Sequence, residues 1–444
     1  MVGDYYVGGF DPVVELAGVT VFHGDCREVL AALPDDSVDS IVTDPPYELG
    51  FMGKKWDASG IAYDSTVWGE CLRVLKPGGH MLAFGGTRTW HRLAVAVEDA
   101  GFEIRDNIAW MYGSGFPKSL DVSKAIDKAA GAQREVVGRQ EVWGRGVERF
   151  TDIGQDIAVS GNASVDITAP ATPAAKQWQG WGTALKPALE PIVVARKPLT
   201  GTVASNVLEW GTGGLNIDGS RIGTMVQGHR TNGKANDVYG DLSYTAGERW
   251  EGSTQGRWPA NVILDEHTAE LLDEQSGKAG GGFGVRGPGG QTYASGKGFA
   301  NTLSETGQTV GYGDTGGASR FFYVAKASKR DRNEGLDGLE AQRYADREKD
   351  DGAGGDNPRN RTNQAKQNFH PTVKPTALMR YLVKLVTPPG GTVLDPFTGS
   401  GSTGKAALLE GFDFVGVELT EDYLPIIEGR LNWALENRDE DTLF

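Results

Sequence analysis

Two short runs of the sequence hold residue types at spacings that chemistry can use. The first is Asp395-Pro396-Phe397-Thr398-Gly399-Ser400-Gly401-Ser402-Thr403, with Glu418 following downstream. Glycine has no Cβ to keep a ligand off the backbone, so a turn containing Gly399 and Gly401 lets one approach closely. In open α/β sheets, ligands collect beyond the carboxyl ends of the strands. An acid at the end of the next strand is placed to accept hydrogen bonds from a ribose diol. Together these features describe an adenosine-type site. A second reading also fits: Gly399, four residues, then Gly404-Lys405 match most of a phosphate-binding loop, although Ala406 stands where that motif needs Ser or Thr to hold Mg²⁺. In a third reading the glycines merely let a helix pack on a strand.

The second run is Asp44-Pro45-Pro46-Tyr47, directly after the apolar stretch Val38–Thr43. An amino group conjugated to a ring is a poor nucleophile, because its lone pair is delocalised. The Asp44 carboxylate and the Pro45 carbonyl can both accept hydrogen bonds from such an amine, drawing its nitrogen toward sp³ and freeing the lone pair. Pro46 stiffens the loop, and Tyr47 offers a ring face for stacking. Positioning and a fixed electrostatic environment then supply most of the catalysis, with no metal required. The structural alternative is a tight Pro-Pro turn with a capping Asp and a packed Tyr.

Both runs need strands to hold them. Residues 1–112 read as alternating elements, which argue for a parallel α/β sheet. Strands are expected at Val19–His23, Val38–Thr43, His80–Phe84 and Glu103–Trp110, and helices at Cys26–Leu33, Trp68–Leu75 and Arg92–Ala100. Lys76-Pro77-Gly78-Gly79 is expected to stop the Trp68–Leu75 helix. From 113 to 365 the pattern breaks up. Gly280–Gly316 and Asp346–Asn368 read as loops, and Trp181–Pro198 and Trp258–Leu264 as ordered islands. Regular structure resumes at Pro371. Leu378, Leu382 and Leu385 mark a helix face, Thr392–Asp395 a strand, Thr403–Leu409 a helix, and Asp413–Val417 a strand ending at Glu418. The last three form a βαβ unit, and the charged Arg438–Asp441 reads as a solvated tail. For the two motifs to cooperate, strand Thr392–Asp395 must lie beside strand Val38–Thr43.

Taken together, the motifs resemble those of the DNA N6-adenine/N4-cytosine amino-methyltransferases in their permuted β-class order, phage-borne examples above all. In that order the catalytic motif comes first and the cofactor motif last. The likeness is good at both ends of the chain and looser in the middle. It implies an α/β, Rossmann-like methyltransferase sheet with a large irregular target-recognition insertion. The corresponding division is 1–112 for the catalytic half, 113–365 for target recognition and 366–444 for the cofactor half. It also implies S-adenosylmethionine as cofactor, double-stranded DNA as partner, and a base swung out of the duplex.

By the same resemblance Asp44, Pro45, Pro46 and Tyr47 are catalytic. Gly24-Asp25-Cys26 resembles the contact to the cofactor's adenine ring, with Asp25 accepting from its amino group. Asn368-Phe369-His370-Pro371-Thr372-Val373-Lys374-Pro375 resembles the segment around the methionine end. There His370 is structural, and Thr372 and Lys374 meet the cofactor carboxylate. Asp395, Pro396, Phe397, Gly399, Gly401 and Glu418 complete the cofactor set. Trp110 and the Met111–Pro117 loop either help to hold the flipped base or, for Trp110, pack in the core. Asp-Pro-Pro-Tyr is the commoner form on adenine enzymes, which favours adenine N6 over cytosine N4. The alternatives are a DNA-binding module without catalysis, methylation of RNA or protein amides, and the nucleotide hydrolase suggested by Lys405.

Composition bounds these readings. At 444 residues the chain has room for two or three domains of roughly 150 residues. Its 64 glycines are about twice the usual share of roughly 7% and show no Gly-X-Y period, so they point to loops. Two cysteines, Cys26 and Cys71, exclude a disulfide framework and a Cys-rich zinc site. No secretory leader or membrane-length apolar run is visible, so the cytoplasm of a bacterium or phage-infected host is expected. A net charge of −15 counts against tight non-specific DNA binding, although basic residues gather at Lys326–Arg332 and Arg343–Arg380. Trp178, Trp181, Trp250 and Trp258 are wedge or stacking candidates, most of them expected in the core. Monomer and homodimer both remain open, and no nuclease motif is apparent.

Overall fold

The computed structural model describes residues 9–49, 55–113, 115, 119–142, 145–150, 155–160, 163–223, 256–280, 284–285, 309–310, 315–326, 331–341 and 367–438. Ten strands form one sheet. They are β1 (Pro12–Leu16), β2 (Val19–His23), β3 (Val38–Thr43), β4 (Leu75–Phe84), β5 (Glu103–Met111), β6 (Leu189–Arg196), β7 (Val262–Asp265), β8 (Tyr323–Ala325), β9 (Thr392–Asp395) and β10 (Asp413–Glu418). Their spatial order is β1-β2-β10-β9-β3-β4-β6-β5-β7-β8.

From β2 to β4 all neighbours are parallel. β6 runs antiparallel to both β4 and β5, while β5, β7 and β8 are parallel to one another. β3 and β9 lie side by side, Val393 opposite Ser40 and Leu394 opposite Ile41, so the two ends of the chain close one sheet as the motifs require.

Every residue of β3 and β9 is buried, as expected of parallel strands covered on both faces. Side chains alternate between two cores, the period-two rule of a strand. Val42, Val393 and Phe414 pack under α4 (Thr376–Val386), α5 (Ser402–Leu409) and α6 (Leu424–Glu436). Ile41, Leu394 and Val415 pack under α1 (Cys26–Ala32), α2 (Ser65–Val74) and α3 (Trp90–Asp99). Leu378, Leu382 and Leu385 supply the buried face of α4, as their spacing indicates.

Two departures from expectation have local causes. Lys76-Pro77-Gly78-Gly79 ends α2 but does not precede the strand; it lies inside β4 as an irregular bulge. Val38 pairs with Leu75, and the next pair is Ser40 with His80. The carbonyl of Pro77 accepts hydrogen bonds from Asn206 Nδ2 at 2.8 Å and Thr212 Oγ1 at 2.5 Å, and Gly78 takes a positive φ of 76°. Donors from the middle of the chain thus satisfy the Pro77 carbonyl where the ladder is interrupted, Pro itself having no N–H to give it.

Residues between 113 and 365 also feed β6, β7 and β8 into the same sheet. Of that stretch, Gly280–Gly316 and Asp346–Asn368 lie mostly outside the described residues, as do much of the two basic clusters, Trp250 and most of the C-terminal tail. Trp178, Trp181 and Trp258 are exposed rather than packed, Trp181 by 60% and Trp258 by 65%. No described helix is long and apolar enough to cross a membrane.

The reversed strand is integral to the core, since Ile192 is fully buried among Val42, Leu82 and Phe84. Ile192→Ala is expected to cost about 2–5 kcal/mol in urea unfolding. A loss well below that range would mean that β6 is peripheral.

Candidate active site

A cavity of about 560 Å³ opens beyond the carboxyl ends of β2, β10, β9, β3 and β4, a volume within the roughly 300–1,000 Å³ of small-molecule sites. Because β6 is reversed, its first residues arrive at the same place. Asp25, Cys26, Asp44, Pro45, Pro46, Tyr47, Thr372, Lys374, Asp395, Pro396, Phe397, Gly399 and Glu418 all line this cavity. Gly401 and Trp110 do not.

The Gly-rich turn is held from below. Gly399 and Gly401 both adopt positive φ, 57° and 73°, a conformation that favours glycine. A Cβ on Gly399 would come within 3.0 Å of His370 Nε2, whereas one on Gly401 would meet Ile427 at 3.4 Å. Gly401 therefore lets α5 pack on α6 instead of facing the cavity. The Glu418 carboxylate accepts the Gly399 N–H at 2.7 Å and the Thr420 N–H at 2.8 Å. Burial raises its pKa to about 7, against the pull of those two donors.

Asp395 is buried at the end of β9. It accepts from Thr43 Oγ1 at 2.7 Å and the Phe397 N–H at 3.1 Å, locking β9 to β3 beside the Asp44 loop. Burial raises it to about 6. His370 lies edge-on to Tyr423 and beneath Gly399, and burial lowers its pKa to about 3, so it is a neutral structural support.

Asp25 caps α1 through the Arg27 N–H at 3.0 Å and is also held by the Arg27 guanidinium, whose hydrogen bond lowers its pKa. Burial pushes the Cys26 thiol up to about 12. Lys405 is fully buried and turned away from the turn, toward Glu334 at 2.7 Å, Asp331 at 3.0 Å and the Trp433 ring. It cannot reach a phosphate there, and the nucleotide-hydrolase reading falls.

At the other end, Asp44 Oδ2 accepts from Lys374 Nζ at 2.6 Å, while Asp44 Oδ1 is buried with no hydrogen-bond partner among the described residues. The ammonium of Lys374 thus stands on the Asp-Pro-Pro-Tyr loop. Tyr47 donates its hydroxyl to Glu190 Oε2 at 3.0 Å, and its backbone carbonyl accepts from Thr89 Oγ1 at 2.9 Å. Burial first, then the neighbouring Asp44 and Glu190 carboxylates, raise the Tyr47 phenol well above its ordinary value.

Trp110 is half-buried behind the wall, packed against Phe84 and Tyr112. From this strand end it is Tyr112, two residues further on, that lines the cavity. Tyr112 lies in the Met111–Pro117 loop that the sequence already singles out, whereas sequence reasoning missed Glu190. The signal for Glu190 was present, a lone acid opening the otherwise apolar run Leu189–Ala195. No group of three or more metal-ligating side chains occurs among the described residues.

With this geometry in view, comparisons with known proteins are specific. The DNA methylase family, of the N6/N4 type, matches residues 38–131 and 298–429, just over half of the chain. The chain belongs to that family. Among curated relatives, the type II methyltransferase M.ScaI of Streptomyces caespitosus is 45% identical over 62 residues, 14% of this chain and 20% of that protein. The DNA adenine methyltransferase YhdJ of Escherichia coli K12 is 39% identical over 79 residues, 18% of this chain and 27% of that protein. This methylase-family chain thus spans between a fifth and a third of the length of these relatives. Among solved structures, the cytosine-N4-specific PvuII DNA methyltransferase aligns over 95% of this chain and 89% of its own, with 13% identity and a TM-score of 0.39.

Any ligand whose hydroxyls donate to Glu418 needs that group ionised. Its pKa near 7 means that the free protein is increasingly protonated below that point. The dissociation constant of an adenosine-bearing ligand should therefore rise as pH falls from 8 to 6, by up to about tenfold per unit below pH 7. Calorimetric titration checks this, and Glu418→Gln should flatten the dependence.

Proposed function

We propose that the protein is an S-adenosylmethionine-dependent DNA methyltransferase acting on the exocyclic amino nitrogen of a flipped base. One observation carries the reading. Asp44 lines the same cavity as the Gly399 turn and Glu418, and its carboxylate has one buried oxygen, Oδ1, without a hydrogen-bond partner among the described residues. A buried carboxylate oxygen with no partner is costly, and an amine N–H from a base supplies the missing donor.

The residues fit the cofactor. Glu418 uses each oxygen once on backbone N–H groups and keeps acceptor capacity for the ribose diol. Asp25, beside the buried Cys26, is placed for the adenine amino group. Thr372 and the Gly399 turn line the side where the amino-acid tail belongs. When bound, S-adenosylmethionine supplies a methyl activated by a positive sulfur.

The chain supplies the rest. Asp44 Oδ1 and the Pro45 carbonyl hold the amine hydrogens, which turns the nitrogen lone pair out of the ring. Pro46 keeps the loop stiff, and Tyr47 and Tyr112 present aromatic surface to the base. Such preorganised acceptors act in a water-poor site without reorganising during the reaction. Double-stranded DNA is the partner in this reading, with residues 113–365 as the target-recognition region. The exposed Trp178, Trp181 and Trp258 suit that role better than a core role. Adenine N6 is favoured over cytosine N4 by the Asp-Pro-Pro-Tyr form and by the likeness to an adenine methyltransferase.

Asp44→Ala should lower transfer of labelled methyl to DNA by about 10²–10³-fold or more while leaving cofactor affinity nearly unchanged. Gly399→Val should instead abolish cofactor binding, through the His370 contact and the positive φ. Equal loss of both properties in both variants would remove this division of labour. Digestion of methylated DNA to nucleosides, with mass identification, names the base; N4-methylcytosine would end the adenine assignment.

A further inference from the structure

Resting on that reading of the cavity, the contacts of Lys374 assign it a task beyond the cofactor. An ammonium has three hydrogens to donate, and three acceptor groups of the protein surround this one. Its Nζ lies 2.6 Å from Asp44 Oδ2, 3.3 Å from Tyr47 Oη and 3.5 Å from Glu190 Oε2. It also sits over the rings of Phe84 and Tyr47, at 4.9 and 5.4 Å from their centroids. No donor is left over for a cofactor carboxylate.

Burial alone would lower the Lys374 pKa, but the Asp44 and Glu190 carboxylates more than offset it and hold the group above the ordinary lysine value. Glu190 in turn accepts the Tyr47 hydroxyl. Three segments distant in sequence, the loop after β3, the start of β6 and the residues before α4, thus meet at one cation between two carboxylates.

We infer that Lys374 and Glu190 are positioning residues for methyl transfer, Lys374 fixing the Asp44 carboxylate with Oδ1 as its free acceptor and Glu190 fixing the Tyr47 ring. Both act through the Asp44–Tyr47 loop. The arrangement is also a charge balance. Removing the ammonium leaves two buried carboxylates facing each other, and a truncated partner at such a site costs more than the pair contributes. A second neutralisation, of Glu190, should then relieve part of the damage.

The test measures methyl transfer at saturating cofactor, together with cofactor affinity and thermal unfolding, for Lys374→Met, Glu190→Gln and the double variant in the full chain. Lys374→Met should lower kcat by about 10²-fold, the scale of losing one preorganised contact, with the cofactor dissociation constant changed less than about threefold, a small shift by the tenfold-per-1.4-kcal/mol rule. The double variant should be more active than Lys374→Met alone, the signature of coupled sites. Three results overturn the inference. One is a tenfold weaker cofactor affinity with kcat intact, which makes Lys374 a cofactor ligand. Another is losses that multiply in the double variant, which makes the two residues independent. The third is full activity in Lys374→Met. If Lys374→Met does not fold, Lys374→Gln and Glu190→Gln are read by the same criteria. Absence of transfer by the unaltered protein removes the functional reading and this inference together. Transfer by the unaltered protein, with any of those results, removes the inference alone.

Discussion

The structure depends on the parallel pairing of β9 with β3. That pairing joins segments about 350 residues apart in the chain, Val393 against Ser40 and Leu394 against Ile41. Closing so long a loop costs entropy that grows only slowly with length, so burial on both faces of the two strands can offset it. The Thr43 hydroxyl on Asp395 then fixes the relative height of the strand ends. Because side chains alternate along a strand, a one-residue slip would exchange the two cores and carry Asp44 away from the Gly399 turn.

Around this seam the cavity uses its acids in two distinct ways. Asp395 and Glu418 are buried and satisfied by hydroxyl and backbone donors, and their pKa values are pushed up to about 6 and about 7. Asp44 and Glu190 share one ammonium instead. The first pair keeps a rigid cradle that responds to pH. The second keeps a charged loop in place with one acceptor left over. Seen this way, an overall charge of −15 says little about the cavity, where the placement of each partner decides what a carboxylate can do.

Much of this was legible in the sequence because local patterns coincide with local causes. The run Val38–Thr43 before Asp44, the Leu378–Leu382–Leu385 stripe and the βαβ unit up to Glu418 are written in period and turn chemistry. The rest depends on partners that sequence does not name. Pro77-Gly78-Gly79 reads as a stop, yet Asn206 and Thr212 turn it into a bulge. Lys405 reads as a phosphate ligand until Asp331 and Glu334 are seen to hold it. Glu190 and Lys374 are separated from Asp44 by long stretches of chain, so their convergence on one loop follows only from the sheet order.

The reversal of β6 has a consequence for how such a protein can diversify. The strand comes from the middle of the chain, yet it sits between β4 and β5 and delivers Glu190 to the cavity wall. Under the proposed function, a recognition segment exchanged between relatives cannot be lifted out as one block without taking a wall of the cavity with it. On that reading, viable recombination joints lie on either side of Leu189–Arg196, and target preference drifts in the flanking loops while that strand stays in place.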